Sequence, residues 1–134
     1  MRRSRKTDWM RKLVRENSLS SNDFILPIFV TEGKNKKIPI KTMPEVFRYS
    51  VDKLGQIVDR ALKLKIPMVA IFPQTNSGLK DSYGSEALNE NNLVCKAIRK
   101  IKDKYKNEIG IMTDVALDPY TCLLYTSDAA DDTC

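Results

Sequence analysis

The chain has 134 residues, of which 42% are hydrophobic and 30% charged, a composition typical of a globular domain and not of a disordered chain. Its net charge of +6 permits a nucleic acid or an anionic metabolite as a partner, although a solvated lysine-rich surface is the commoner cause of such a charge. Histidine is absent, which excludes histidine-based catalysis and histidine metal ligands within this stretch.

The sequence predicts a cytoplasmic protein. It has no run of about 18 apolar residues that would span a membrane. The basic start "MRRSRKTDW" is not followed by the apolar stretch of a signal peptide. Cys95, Cys122 and Cys134 are too few and too scattered to predict a disulfide framework.

Residues 1–22 are predicted to form an N-terminal arm and a short helix. Residues 1–6 are basic, and Thr7 is a candidate N-cap for a helix through "DWMRKLVREN". Helical spacing places three apolar residues on one side of this helix: Trp9, Leu13 and Val14.

The apolar run "FILPIFV", residues 24–30, predicts the first strand, although Pro27 within it would favour an edge or a bulge. Residues 31–50 are predicted to be a polar loop, too long for a simple turn. Ser50 is then a candidate cap for a helix with Asp52 in its first turn. Its apolar positions follow helical spacing to about residue 65: Val51, Leu54, Val58, Ala61 and Leu62.

A second strand, "MVAIF", follows Pro67, and the loop "PQTNSGLKDSYGSEA" comes next. Asn89 or Asn91 is predicted to open the following helix. One face of that helix is apolar: Leu93, Val94, Ala97, Ile98, Ile101 and Tyr105. The segment "EIGIMTDVALD" predicts the third strand.

Alternation along the third strand assigns its side chains to two faces. One set is predicted to pack under the helices: Ile109, Ile111, Thr113, Val115 and Leu117. The other set faces a barrel interior or a cleft: Gly110, Met112, Asp114, Ala116 and Asp118. Asp114 and Asp118 would then lie about 13 Å apart on one face, toward the carboxyl end where α/β proteins build their sites. Asp118 could instead simply start a turn before Pro119, whereas a carboxylate inside a strand needs a partner or a function.

Alternating apolar strands and amphipathic helices predict an α/β fold with parallel strands and right-handed crossovers. Three strand–helix units are less than half of a TIM (β/α)8 barrel, which needs about 250 residues. A small doubly wound sheet is the alternative, but no glycine-rich phosphate-binding motif follows any strand.

Several long segments, in order, resemble the porphobilinogen synthase (5-aminolevulinate dehydratase) family. They are "RRSRKTDWMRKLVREN", "FILPIFVTEG", "IPIKTMPEVFRYSVDKL", "AIFPQTNSGLKDSYGSEALNENNLVCKAIRKIK" and "DVALDPYT". The resemblance implies that residues 23–121 are the first part of a truncated (β/α)8 barrel. It also implies a parent enzyme that condenses two 5-aminolevulinate molecules into porphobilinogen, and an N-terminal arm that joins homo-oligomers, usually octamers.

The resemblance also implies site residues. Asp114 matches the family's active-site aspartate, and Asp118 is the candidate metal ligand. Zinc-using members carry cysteines at the positions of Ala116 and Asp118, so this sequence resembles the branch that favours Mg²⁺ over active-site zinc. The two Schiff-base lysines of the family are expected beyond this stretch, which predicts an inactive fragment. Lys80 is expected to be a solvated loop lysine.

Residues 122–134 lack helical and strand periodicity. "CLLYTSDAAD" corresponds to a translated sequencing adapter, so this tail is predicted to be an artefact, and the intact gene to continue into a His-Gly-containing loop. A small basic nucleic-acid-binding module, led by "MRRSRK", is the alternative function. It would need exposed aromatic or arginine side chains, whereas Trp9 and the phenylalanines are predicted to be core residues.

Overall fold

Five β-strands form one sheet in the order β2-β3-β1-β4-β5 in the computed structural model, which describes residues 3–121. The strands are β1 (Ile25–Thr31), β2 (Lys37–Pro39), β3 (Phe47–Ser50), β4 (Met68–Gln74) and β5 (Gly110–Thr113). The α-helices are α1 (Asp8–Leu13), α2 (Leu54–Lys63) and α3 (Leu93–Tyr105). The predicted artefact tail, residues 122–134, lies outside the described residues.

The three predicted strands are parallel neighbours, as expected for strands joined by helical crossovers. β1 pairs with β4 along its whole length, from Ile25 opposite Met68 to Thr31 opposite Gln74. β4 pairs with β5, with Ala70 opposite Met112. Because all three strands run in one direction, their carboxyl ends meet at one edge of the sheet.

The prediction of a polar loop over residues 31–50 is wrong, because this segment contains β2 and β3. β3 pairs in parallel with β1, and β2 pairs antiparallel with β3 at the outer edge. The β1–β3 pairing covers only Phe29 to Thr31 of β1. Pro27 therefore lies where β1 has only β4 as a partner, which explains how a proline is tolerated inside an internal strand.

Helices α2 and α3 cover one face of the sheet, and their apolar faces are those that the periodicity predicted. The core between helices and sheet consists of Ile28, Val30, Leu54, Val58, Ala61, Val69, Ile71, Leu93, Ala97, Ile101, Tyr105 and Ile109. Burial of this apolar area is the main force that holds the helices on the sheet.

Two predicted helix caps differ in the structure. Asn92, and neither Asn89 nor Asn91, caps α3, because its side-chain oxygen accepts a hydrogen bond from the Cys95 backbone N–H at 2.9 Å. Ser50 makes no capping bond. Its hydroxyl instead accepts a hydrogen bond from the Lys36 backbone N–H at 2.9 Å, which joins β3 to the loop before β2.

The short N-terminal helix is present, but its apolar side is uncovered. Thr7 occupies the N-cap position without a capping hydrogen bond. Trp9 is 64% exposed and Leu13 is 79% exposed, so the prediction that Trp9 is a core residue is wrong. Phe24 and Phe72, also expected in the core, are half-exposed. Among residues 3–121, no helix has the length and apolar character that crossing a membrane requires.

Candidate functional site

The sheet face opposite α2 and α3 carries a row of large side chains near the carboxyl ends of the strands. Arg48 of β3 lies opposite Phe29 of β1, and Phe29 lies opposite Phe72 of β4. The two phenylalanine rings are 5.8 Å apart between centroids and tilted by 31°. Paired residues of neighbouring strands share a face, so these three side chains lie side by side. We call this surface the inner face.

Asp114 extends this row at the β5 end. Met112 lies opposite Ala70, so Asp114, two residues further on, reaches the level of Phe72. Asp114 is exposed and, with Phe72 and Met112, lines a cleft of about 220 Å³. It forms no hydrogen bond or ion pair within residues 3–121, so its carboxylate oxygens are available to a ligand there. The structure thus places the predicted catalytic carboxylate beside an aromatic ring on the inner face.

The prediction that the third strand continues to Asp118 is wrong. β5 ends at Thr113, residues 114–116 have no regular secondary structure, and residues 118–120 form a turn. Val115, expected under the helices, is fully exposed, and Leu117 is 58% exposed. Asp118 lies in a turn in which the backbone N–H of Tyr120 donates to the Leu117 carbonyl oxygen at 2.8 Å. Strand alternation therefore does not place Asp118 beside Asp114, and the alternative that Asp118 starts a turn is confirmed.

The loop after β4 holds this turn in place through Asp81, which the sequence interpretation missed. The Asp81 carboxylate accepts hydrogen bonds from the backbone N–H groups of Ser85 and Tyr83, both at 3.0 Å. These bonds, with that to Ser85 the strongest, hold the pKa of Asp81 below its usual value. The backbone N–H of Asp81 donates to the Tyr120 carbonyl oxygen at 3.3 Å. An aspartate two residues before a tyrosine and three before a glycine is a turn signal that could have identified this role.

A second cleft, of about 280 Å³, adjoins the aromatic pair on the inner face. Its lining residues are Phe29, Arg48, Phe72, Pro73, Gln74, Thr75, Lys80 and Pro119. Lys80, expected to be a solvated loop lysine, is half-buried here. The sequence interpretation did not identify Arg48, because it assigned that residue to a loop.

The described residues do not form a complete metal site. Within residues 3–121, no group of three or more His, Cys, Asp or Glu side chains lies close enough together to hold an ion. Asp118 is exposed, and Ala116 offers no ligand atom. A metal ion at this position would need ligands from another part of the complete protein.

The comparisons with known proteins agree with one another. The family model for delta-aminolevulinic acid dehydratase matches residues 1–125. The delta-aminolevulinic acid dehydratase of Bradyrhizobium diazoefficiens is 52% identical over 120 residues, which are 90% of this chain and 34% of that protein. The enzyme of Chlamydia pneumoniae is 41% identical over 120 residues, which are 90% of this chain and 36% of that protein.

A solved structure shows the same fold. The crystal structure of delta-aminolevulinic acid dehydratase (porphobilinogen synthase) from Toxoplasma gondii, in complex with the reaction product porphobilinogen, superposes with a TM-score of 0.81 at 33% identity. The superposition covers 91% of this chain and 34% of the Toxoplasma chain. This chain thus spans about a third of the length of its relatives.

The likeness identifies the sheet as part of a larger barrel. The Toxoplasma enzyme is a TIM-barrel protein, and the five-stranded sheet with α2 and α3 corresponds to about a third of it. The comparisons give no support to the nucleic-acid-binding alternative. The chain belongs to the delta-aminolevulinic acid dehydratase family.

Proposed function

We propose that the complete protein condenses two molecules of 5-aminolevulinate into porphobilinogen, with loss of water, in tetrapyrrole synthesis. The observation that carries this proposal is the family match over residues 1–125, which includes Asp114 and the inner face. The position of Asp114 at the carboxyl edge of parallel strands agrees with it, because that edge is where barrel enzymes act.

Asp114 is the proposed catalytic group of this part of the chain. Its exposed carboxylate adjoins the Phe72 ring in a cleft on the inner face. A carboxylate at this place can hold the ammonium group of a substrate or move a proton during the condensation. The family's two Schiff-base lysines are not assigned to any lysine of this chain, so the chemistry of amine attack needs the rest of the protein.

For the metal we propose Mg²⁺ in the complete protein and no zinc at the Ala116 and Asp118 positions. Zinc sites use thiolates, imidazoles and some carboxylates, whereas hard oxygens suit Mg²⁺. Asp118 offers one such oxygen, and the described residues supply no complete set of ligands around it. No step of the reaction is assigned to the ion.

We also propose a cytoplasmic homo-oligomer, an octamer as is usual in the family, assembled through residues 1–22. The exposed Trp9 and Leu13 of α1 support this role, since an uncovered apolar patch marks an interaction site. Deletion of residues 1–22 from the complete protein should reduce the number of subunits in the oligomer, measured as its mass by sedimentation equilibrium. Retention of the full oligomer, or salt-sensitive RNA binding by these residues, would contradict the proposed role.

The test of the activity is direct. The complete protein, purified and supplied with 5-aminolevulinate and Mg²⁺, should form porphobilinogen, measured by its colour reaction with an aldehyde reagent. The Asp114→Ala variant, purified in parallel, is the negative control. Absence of porphobilinogen from the correctly folded wild-type protein would overturn the proposal.

A further inference from the structure

Asp114 lies on a short piece of backbone between two fixed points. On its amino-terminal side, Thr113 ends β5 and is paired with β4. On its carboxyl-terminal side, the Leu117 carbonyl oxygen accepts a hydrogen bond from the Tyr120 backbone N–H at 2.8 Å, within the turn. Only residues 114–116 lie between these two points, and they have no regular secondary structure.

The side chain of Asp114 does not fix its own position. It forms no hydrogen bond or ion pair within residues 3–121, and the next residue, Val115, is fully exposed. The place of the carboxylate therefore depends on the backbone at the two ends of residues 114–116. Strand pairing secures the first end, so the remaining freedom of Asp114 depends on the second end.

The second end rests on the loop after β4. The Tyr120 carbonyl oxygen accepts a hydrogen bond from the Asp81 backbone N–H at 3.3 Å, and Asp81 forms a parallel β-bridge with Thr121. Tyr120 itself is only 7% exposed. A Cβ added to Gly84 would lie 3.4 Å from the Leu117 Cδ2 and 4.0 Å from the Tyr120 Cβ. The loop and the turn are thus in close contact.

Asp81 closes this loop with its side chain and contacts the turn with its backbone. Its carboxylate accepts hydrogen bonds from the backbone N–H groups of Tyr83 and Ser85, both at 3.0 Å. Its carbonyl oxygen accepts a hydrogen bond from the Gly84 backbone N–H at 3.4 Å. Because one residue performs both roles, loss of its carboxylate would loosen the support of the turn that follows Asp114.

We propose that Asp81 is a positioning residue for Asp114. By closing the loop after β4, Asp81 holds the turn that follows β5 and keeps the Asp114 carboxylate where it moves a proton during the condensation. This inference rests on the proposed function, because it takes Asp114 as the group that acts on the substrate. Asp81 itself is assigned no contact with the substrate. A displacement of a catalytic group by about 1 Å is enough to slow a reaction about 100-fold.

The test uses the complete protein and two variants at residue 81. Asp81→Ala removes the acceptor of two backbone N–H groups and should lower kcat for porphobilinogen formation about tenfold or more, because Asp114 is displaced. The KM for 5-aminolevulinate should stay within about threefold, because proton transfer stabilises only the transition state. Asp81→Asn keeps a side-chain oxygen that can accept the same hydrogen bonds, so its kcat should lie within about threefold of the wild-type value.

Asp52→Ala is the matched control. The Asp52 carboxylate also accepts a hydrogen bond from a backbone N–H group, that of Asn35, at 3.1 and 3.0 Å from its two oxygens. Asn35 belongs to the loop after β1, so this variant should leave kcat unchanged.

A double variant separates positioning from general damage to the fold. When Asp114→Ala is already present, Asp81→Ala should lower the residual kcat by less than about twofold, because the group that Asp81 positions is gone. An equally large loss of kcat with and without the Asp114 carboxylate would overturn the proposal.

Hydrogen–deuterium exchange of the same proteins gives a readout that does not depend on activity. Asp81→Ala should speed the exchange of the backbone amides of residues 114–121, whereas Asp52→Ala should not. Unchanged exchange in Asp81→Ala would overturn the proposal. If that variant does not fold, as judged by its thermal melt, Asp81→Glu, whose carboxylate is displaced by one methylene group, decides the question by the same measurements. Failure of the wild-type protein to form porphobilinogen would overturn the proposed function, and the exchange comparison would then decide the role of Asp81 by itself.

Discussion

The hydroxyl of Tyr105 donates a hydrogen bond to the carboxylate of Asp59 at 2.6 Å and so joins α3 to α2 on the covered side of the sheet. Lys104 completes the cluster, with its ammonium nitrogen 3.2 Å from Asp59 and 2.8 Å from the Tyr105 oxygen. Tyr105 is only 5% exposed, and its hydroxyl also lies 3.0 Å from the Gly55 carbonyl oxygen. The two helices are thus fixed by a polar contact as well as by the apolar core.

Replacement of Tyr105 by Phe should lower the free energy of unfolding by about 1–2 kcal/mol, because the Asp59 carboxylate loses its hydrogen-bond donor from α3. Tyr83→Phe is the matched control, because Tyr83 is 88% exposed. Loss of its hydroxyl should change the free energy of unfolding little. Chemical denaturation of the complete protein measures both. Equal stability of the two variants would contradict a structural role for the hydroxyl.

The same cluster predicts how stability depends on acid. The Tyr105 hydrogen bond, followed by Lys104, holds the pKa of Asp59 below its usual value in the folded protein. The folded state therefore favours ionised Asp59, and this stabilisation is present above about pH 4 and lost as the pH falls further. Asp59→Asn should flatten the dependence of the melting temperature on pH in that acid range. An unchanged acid profile would show that this carboxylate contributes nothing measurable.

Gly84 is predicted to stabilise the loop after β4, where it lies close to Leu117. Its φ of 64° lies in the left-handed region, and the nearest atom to an added Cβ is the Leu117 Cδ2 at 3.4 Å, an ordinary contact. Gly84→Ala should therefore destabilise by about 1 kcal/mol through backbone strain and not through a clash. Gly78→Ala should be close to neutral, because Gly78 has no positive φ and an added Cβ would make only an ordinary contact, 3.8 Å from the Asn76 Oδ1. Thermal melts of the two variants make the comparison.

Replacement of Asp114 by Ala in the complete protein should lower kcat/KM at least about 100-fold, the lower range for loss of a general acid or base. Asp118→Ala should lower kcat/KM less than Asp114→Ala does, because Asp118 lies in an exposed turn. Its main effect should be on the dependence of the activity on divalent ions. Initial rates of porphobilinogen formation at several Mg²⁺ concentrations measure both effects. A larger loss in Asp118→Ala than in Asp114→Ala would reverse the assignment.

A zinc-selective chelator should leave the activity of the complete protein intact when Mg²⁺ is present. The reason is the ligand chemistry, since Ala116 offers no donor atom and Asp118 offers only a hard oxygen. Activity is measured before and after chelation and again after addition of Zn²⁺ or Mg²⁺. Loss that only zinc restores would place this protein with the zinc-using members.

The 134-residue chain alone should form no porphobilinogen and should aggregate. Phe72 and Met112 are 40% and 42% exposed on the inner face, and β5 pairs on only one side within residues 3–121. Such uncovered apolar surface and open strand edges favour association. Light scattering and the product assay test this expectation, and a cooperative melt of a monomer would contradict it.

Local periodicity was sufficient to predict α2, α3, β1 and β4. Apolar residues repeat at helical spacing along both helices, and short apolar runs mark both strands. These patterns arise because the buried face of a helix or strand carries apolar residues at a regular spacing, and this spacing can be read directly from the sequence. The pairing of parallel strands followed from their alternation with helices.

Only the tertiary structure located β2, β3 and the end of β5. β3 is four residues long, and its extended form depends on hydrogen bonds to β1, which lies 16 or more residues earlier in the chain. Likewise, alternation alone would carry the third strand past Asp114, whereas in the structure β5 ends at Thr113 and the Tyr120 backbone contacts Asp81 of the loop after β4. Arg48 and Lys80 meet in one cleft for the same reason. Pairing between distant segments decides these features, and no local pattern in the sequence encodes it.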